Sequence, residues 1–337
     1  MTKILYTDQQ QKDLLYPSRR EVLKEIHKRD GLDSKLADDY KRLETGYQGE
    51  KLVLDYFKEF GQNHWIIMQN VWLDYYGEFE IDLLVVTNNR IYTFEVKHFS
   101  GNYEFKNNQC TRNGQRIGHN AISQAQKSFI NTQNLFKRNG VHSVVNGGII
   151  FTGDHCDVVV YDEVADLAVL TTNQLREYIY QIANIESRNT YKNTDSDEVL
   201  SLLNQYAVPN PFPPNKMTDE INDRMQKGII CSHCSAPDIY TQHSYLECKC
   251  GMFEPRENAI FRTICEYGLI HFDKDLTTGA LEDFFNGDVT RRSIFLYLNH
   301  HFKKMGTGKG TQYENIKQSL YEAPGKFELK RSRYYKC

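Results

Sequence analysis

Two groups of side chains in this 337-residue chain have the types and spacing for chemistry. The first is acidic. Glu80-Ile81-Asp82 and Glu95-Val96-Lys97 place charges inside the otherwise apolar runs 78–87 and 90–99. Strands alternate with period two, so Glu80 shares a face with Asp82, and Glu95 with Lys97. Charges in such runs are exceptions to ordinary burial. Asn88-Asn89 is a hairpin signal between the runs, and pairing them would bring Asp82 near Glu95. Two carboxylates and an ammonium at a strand end suit a divalent cation with oxygen ligands. Glu50 lies three and four residues before Val53 and Leu54, on the line of a buried stripe, and should point at the sheet. Gln124, in the first turns of a later helix, can reach the same edge.

The second group is Cys231 and Cys234, then thirteen residues, then Cys248 and Cys250, or C-x2-C-x13-C-x-C. Four thiolates on two knuckles suit tetrahedral Zn²⁺. Gly251 permits the left-handed backbone that follows such a knuckle. Four cysteines complete the shell, which leaves His233 and His243 outside it. The other cysteines, at 110, 156, 265 and 337, are scattered. Disulfide frameworks belong to short secreted chains, so the cluster reads as metal.

The elements that must position these groups follow from pattern. Ser18-Arg19-Arg20-Glu21 is a capping box opening a helix. A second helix runs from Gly49 to Gly61. Residues 64–73, 78–87 and 90–99 are strands, with a short one at 103–106 and then a polar loop. A long amphipathic helix over 119–138 is followed by strands at 144–152, 157–161 and 167–170 and a helix over 173–185. The order predicts an α/β domain with a mixed sheet flanked by helices. Four of the chain's eight prolines fall at 209–214, a stiff extended linker. Beyond it lie the cysteine module with a β-type segment at 239–246, and helices at 257–271, 278–285 and 289–303. The expected modules are an N-terminal helical segment 1–44, a catalytic-type domain 45–205, a linker with a short helix 206–228, a zinc ribbon 229–255 and a basic helical region 256–337.

Gly49-Glu50, Glu80-Ile81-Asp82, Phe94-Glu95-Val96-Lys97, Gly101 and Asn120-Ala121-Ile122-x-Gln124, in that order, resemble the nuclease-related domain (NERD) family over residues 45–155. That family is a branch of the restriction-endonuclease-like PD-(D/E)XK superfamily. The resemblance implies a restriction-endonuclease-like mixed sheet and Mg²⁺- or Mn²⁺-dependent hydrolysis of DNA phosphodiesters. By it, Asp82, Glu95 and the Val96 carbonyl hold the metal, and Lys97 polarises water or stabilises the transition state. Glu50 assists a metal or its waters, and Gln124 steadies the site or a DNA phosphate; Glu80, more often an exposed strand residue at such a position, is placed only behind these ligands. Ile81 stands where the superfamily's nominal motif has Pro. Plainer readings stay open. Asp82, Glu95 and Lys97 could form a buried ion-pair network in a vestigial nuclease fold of a non-catalytic nucleic-acid-binding or regulatory protein. Glu50 could complement a helix N-terminus, and Gln124 could be a surface amide.

Net charge is −3, with 41 basic and 44 acidic residues, which argues against a histone-like coat and against an acidic disordered chain. The total hides a partition: +2 over 1–150, −9 over 151–255, −4 over 256–288 and +8 over 289–337. The acid excess thus lies outside the expected catalytic core. Arg291, Arg292, Lys303, Lys304, Lys330, Arg331 and Arg333, interleaved with aromatics, are candidates for nucleic-acid binding. A solvated basic tail is the plainer alternative. Helices 278–285 and 289–302 around Gly287-Asp288 weakly suggest a helix-turn-helix. Gly306–Thr311 imitates a phosphate loop but lacks its Ser or Thr after Lys309, and reads as a loop. No apolar run approaches the ~18 residues that cross a bilayer, and no secretory signal is visible, so a cytoplasmic protein without membrane contact is expected. DNA is the expected partner and RNA stays open. With no helicase motif in the chain, a partner ATPase or helicase would supply any translocation, in a setting such as bacterial defence against foreign DNA. Pairing of two copies also stays open.

Overall fold

The structure, a computed structural model, describes residues 3–13, 16–107, 109–118, 120–161, 167–188 and 193–316. Lys330, Arg331 and Arg333 lie outside the described residues. The chain divides into two compact units, Met1–Asp13 with Arg42–Pro211, and Leu14–Lys41 with Phe212–Cys337. The second boundary falls inside the proline-rich stretch. No helix among the described residues is long and apolar enough to cross a membrane.

The first unit is built on a six-stranded mixed sheet. Its strands are β1 (Lys3–Ile4), β2 (Ile66–Asp74), β3 (Glu78–Val86), β4 (Arg90–Lys97), β8 (Val144–Phe151) and β10 (Leu167–Thr171), in the order β1-β2-β3-β4-β8-β10. The three strands from β2 to β4 pair antiparallel, and β8 runs parallel to both β4 and β10. A smaller sheet has the order β7-β6-β5-β9, from β5 (Gly101–Lys106), β6 (Gln109–Arg112), β7 (Gln115–Ile117) and β9 (Cys156–Val160). Strands β6 and β7 occupy the stretch expected to be a polar loop. They are short and mostly polar, so no alternating pattern marks them.

Helices cover both faces of the main sheet. A short α1 (Asp8–Asp13) follows β1. Val53, Leu54 and Phe57 of α3 (Ser34–Phe60) and Leu175, Ile179 and Ile182 of α5 (Thr172–Arg188) share one core with Leu83, Val85 and Phe94. On the other side, Ile122, Ala125, Phe129 and Phe136 of α4 (Ala121–Arg138) pack with Ile81, Leu84 and Ile149. Val199, Leu202 and Leu203 of α6 (Ser196–Tyr206) join that second core. Helix α3 begins fifteen residues before the expected start at Gly49; Leu36, Tyr40, Leu43 and Tyr47 carry its helical spacing upstream, although its buried residues start only at Gly49. The capping box is realised at Ser18 and Glu21, opening α2 (Arg19–His27).

In the second unit a short α7 (Asp219–Arg224) precedes the cysteine knuckles. The first knuckle precedes, and the second connects β12 to β13 within, a three-stranded antiparallel sheet of β11 (Ile239–Thr241), β12 (Tyr245–Cys248) and β13 (Phe253–Pro255). Next come α8 (Arg256–Ile270), α9 (Thr278–Phe285), α10 (Arg291–His301) and a hairpin of β14 (Lys304–Met305) and β15 (Gln312–Tyr313). The glycine-rich Gly306–Thr311 stretch is the connection of that hairpin. Arg29, Glu254, Arg262 and Glu266 form a buried charge network within this unit.

Candidate active site

The acidic residues meet where the β3–β4 ladder gives out. Its last paired position is Leu83 opposite Phe94, and beyond it the Val96 N–H donates to Asp82 Oδ2 at 2.7 Å. Strand alternation also breaks at this point. Phe79 and Ile81, and beyond the break Leu84 and Val86, all enter the α4-side core. Across the ladder, the pairing of β2 with β3 skips Asn70 and Asp82, and Asn70 has the left-handed φ of 52°. A local reversal on both strands therefore turns Asp82 toward the end of β4.

Asp82 and Glu95 are buried, and the Lys97 ammonium lies 2.6 Å from Glu95 Oε1. Burial, then the Glu95 charge, pushes the Asp82 carboxyl up to about 7, against the pull of Lys97 and the Val96 N–H. Glu80 is pushed to about 9 by burial and by Asp82, Glu50 and Glu95. Burial also raises Glu95, with Lys97 opposing and Glu50 adding to the rise. For Lys97, burial disfavours the charge, but Glu95, Asp82 and Glu80 hold it above the ordinary lysine range. Glu80, Asp82 and Glu95 thus bear on one another around the Lys97 ammonium, with the Glu50 charge adding to the rise of Glu80 and Glu95. Such an excess is what a bound cation would neutralise.

Glu50 enters this field because α3 approaches closely. A Cβ on Gly49 would lie 2.6 Å from Thr152 Oγ1 and 2.9 Å from His98 Cβ, so glycine is what lets the helix sit there. His98 Nδ1 and Thr152 Oγ1 are 3.1 Å apart, and the Thr152 N–H donates to the Lys97 carbonyl at 2.9 Å. Reading the sequence did not find His98 or Thr152. His98 adjoins Lys97, but Thr152 lies just past the end of β8 and carries no local signal. Gln124 is exposed in the first helical turns of α4, and among the described residues it has no hydrogen bond to the carboxylates. It lies one turn before Ser128, whose hydroxyl donates to the Glu80 carbonyl at 3.0 Å, so its helix face is directed at β3.

Among the described residues, three or more ligand atoms lie within 4.8 Å of one another only in the four-cysteine group. No three carboxylates of the first unit's described residues bring one oxygen each within that distance of one another. Cys231 and Cys250 Sγ are 3.6 Å apart, as are Cys234 and Cys248 Sγ. Thiolates around Zn²⁺ at ~2.3 Å would have tetrahedral edges of about 3.8 Å. Gly251 takes φ +89°, and its N–H returns to the Cys248 carbonyl at 2.9 Å. The cluster could hold a metal such as zinc.

Residues 45–152 match the family model of the nuclease-related domain, NERD. The NERD segment contains Glu50, Glu80, Asp82, Glu95, Lys97 and Gln124, and it ends on Thr152. Its presence supports a nuclease-related function for this part of the chain. The four-cysteine group lies outside the NERD segment. No curated protein and no solved structure matches the chain.

Of the candidate nucleic-acid contacts, Arg291, Arg292, Lys303 and Lys304 are exposed and lie on α10 and at the start of the hairpin. Arg291 pairs with Glu282, and Lys303 with Glu314 at 3.2 Å.

Proposed function

We propose that the NERD segment is a Mg²⁺- or Mn²⁺-dependent endonuclease acting on DNA, on a restriction-endonuclease-like sheet. The observation that carries this is the carboxylate excess of half-buried Glu80 and buried Asp82 and Glu95 around Lys97. Asp82, Glu95 and the Val96 carbonyl would hold the ion, with Glu50 assisting and Glu80 behind them. The ion would supply Lewis-acid activation of water and charge for the departing oxygen. Lys97, held cationic by its carboxylate neighbours, acts as a fixed positive charge that orients water and stabilises negative charge at phosphorus, not as a proton acceptor. Gln124, exposed beside the site, would steady a phosphate. The four thiolates would hold structural Zn²⁺ in a zinc ribbon, and the basic residues after it would contact substrate or a partner. Cytoplasmic defence against foreign DNA beside a partner ATPase extends this proposal, and co-purification of such an ATPase tests it.

Nicking of supercoiled plasmid with Mn²⁺ is the deciding experiment, comparing wild type with Asp82→Asn and Lys97→Ala. Each variant should lose about 10²- to 10³-fold in rate. Equal cleavage by all three removes the assigned site. A second function, non-catalytic nucleic-acid binding, is favoured by the Lys97–Glu95 pair and by the lack, among the described residues, of three carboxylate oxygens within 4.8 Å of one another. No cleavage by any of the three proteins would select it.

A further inference from the structure

The second unit carries an arrangement that its zinc knuckles do not explain. After α8, Leu276 pairs antiparallel with Tyr313, each N–H donating to the other's carbonyl at 2.9 Å. Helices α9 and α10 follow, joined by a turn in which Asn286 (φ 49°) and Gly287 (φ 93°) are left-handed. The β14–β15 hairpin then returns to Leu276. A helix, a short strand, a helix-turn-helix and a hairpin closing on that strand make a winged helix-turn-helix. The core holds it from within through Leu281 and Phe285 of α9 and Ile294 and Leu298 of α10.

The opposite face of α10 is open. Arg292, Phe295, Leu296 and His300 are exposed at helical spacing, and the helix contains no acidic residue. Phe295 is 44% and Leu296 56% exposed, large values for such side chains in a helix. Residues 289–316 hold five Lys and Arg against one Glu, while 256–288 carry a net −4. The positive charge is therefore confined to the second helix of the motif and the hairpin beside it. Lys303 and Lys304 stand at the hairpin's base, and Lys309 lies in its connection.

We infer that residues 256–316 dock double-stranded DNA, with α10 in the major groove and the β14–β15 connection against the flanking backbone. The second helix of a helix-turn-helix enters the major groove by its N-terminal residues, here Arg291 and Arg292. Eleven residues span about 16 Å, enough to lie along that groove. Phe295 and Leu296 can meet thymine methyl groups, which no phosphate contact requires. Duplex RNA is excluded as the occupant because its deep, narrow major groove does not admit a helix. The inference names the substrate class for the proposed nuclease but does not depend on the carboxylate site.

The test uses the full-length, zinc-loaded chain carrying Asp82→Asn, without added Mg²⁺, so that binding is read apart from cleavage. Fluorescence anisotropy compares a labelled 24-base-pair DNA duplex, its single strand and the matching RNA duplex. The DNA duplex should bind most tightly. Arg292→Glu and Lys304→Glu should each weaken it by roughly tenfold and lower the salt slope by about one charge. Both positions are exposed, and an unchanged melting temperature checks the fold. Should either variant fail that check, Arg292→Gln and Lys304→Gln replace them. Unchanged affinity in the double variant overturns the inference, as does preference for single strand or RNA. It is also overturned if Leu296→Asp dissolves a dimer in sedimentation while DNA affinity is unmoved, since the face would then belong to a second copy. Intact binding with no cleavage by the wild type would sink the nuclease proposal alone.

Discussion

In the first unit, the carboxyls of Glu80, Asp82 and Glu95 gather around the Lys97 ammonium, and the Glu50 charge bears on two of them. In the second, Glu254 and Glu266 meet two guanidiniums. Arg262 bridges Glu254 at 2.9 Å and Glu266 at 2.6 Å, and Arg29 reaches Glu266 at 2.6 Å. Arg262 also donates to the Ile230 carbonyl, and Arg29 to the carbonyls of Gln226 and Gly228. Burial alone would raise the Glu266 carboxyl, yet Arg262 and Arg29 hold it below its ordinary range. The carboxyls of the first cluster move the other way. Both clusters are buried, so burial does not separate them; the balance of sign does. A balanced network satisfies its own charges and fixes a fold. An unbalanced one is held at a cost to stability unless a further cation arrives, which marks a site.

Metal and charge removal can break this contrast. The largest effect should come from zinc. Stripping the metal with a strong chelator, or Cys231→Ser, should unfold the cysteine module, with the binding energy of structural zinc in isolated fingers, about 10–16 kcal/mol, as the upper scale. Metal analysis should return about one zinc per chain, the number that a single tetrahedral four-thiolate site takes, and zinc-free protein with native hydrogen exchange would remove the assignment. Next, Glu266→Ala takes the carboxylate partner from buried Arg29 and leaves Arg262 with Glu254 alone, and should cost about 3–5 kcal/mol in denaturant unfolding. A loss under about 1 kcal/mol would place that network with surface pairs.

Asp82→Asn should do the reverse. The folded carboxyl values of Asp82 and Glu80, about 7 and about 9, lie above their unfolded values. The metal-free fold therefore loses stability as pH rises from about 4 toward those values. At pH 8 the variant should be more stable than metal-free wild type, by something on the order of 1–3 kcal/mol. Mn²⁺ should raise the wild-type melting temperature and leave the variant nearly unmoved. A variant less stable than wild type would show that the first cluster, too, is balanced. The smallest effect concerns His271, buried with no partner on Nδ1 among the described residues. Burial and then Lys274 push it down from 6.5 to about 4. Its folded value is depressed, so stability should fall as pH drops from about 6.5 toward 4, and His271→Gln should flatten that slope.

Much of the first unit was legible because its elements are strongly patterned. The apolar runs around Asp82 and Glu95 and the stripe of α4 announce strands and a helix, and charges within them stand out. The break in alternation at Asp82 was hidden. It depends on Asn70, twelve residues away, adopting a left-handed backbone that its type permits but does not demand. The cysteine spacing pointed to a metal, and the structure brings the four thiols together. The balanced network carried no such signal, although Arg262 and Glu266 lie one turn apart in an apolar helix, because Arg29 and Glu254 reach them from other elements. The hairpin after α10 escaped notice because its two strands are two residues each, too short for any periodicity.

The hydrogen bond from the Val96 N–H to Asp82 bears on descent. Asp82 takes the place of a strand partner there, so its side chain completes the sheet, apart from the role proposed for it in the site. Alanine at this position would leave a buried amide without an acceptor, whereas asparagine keeps one. A lineage abandoning the chemistry would therefore lose its charge more cheaply than its amide oxygen. Inactive descendants should carry Asn at position 82 more often than Ala, and an inactive cousin would stay recognisable by its shape long after its acid was gone.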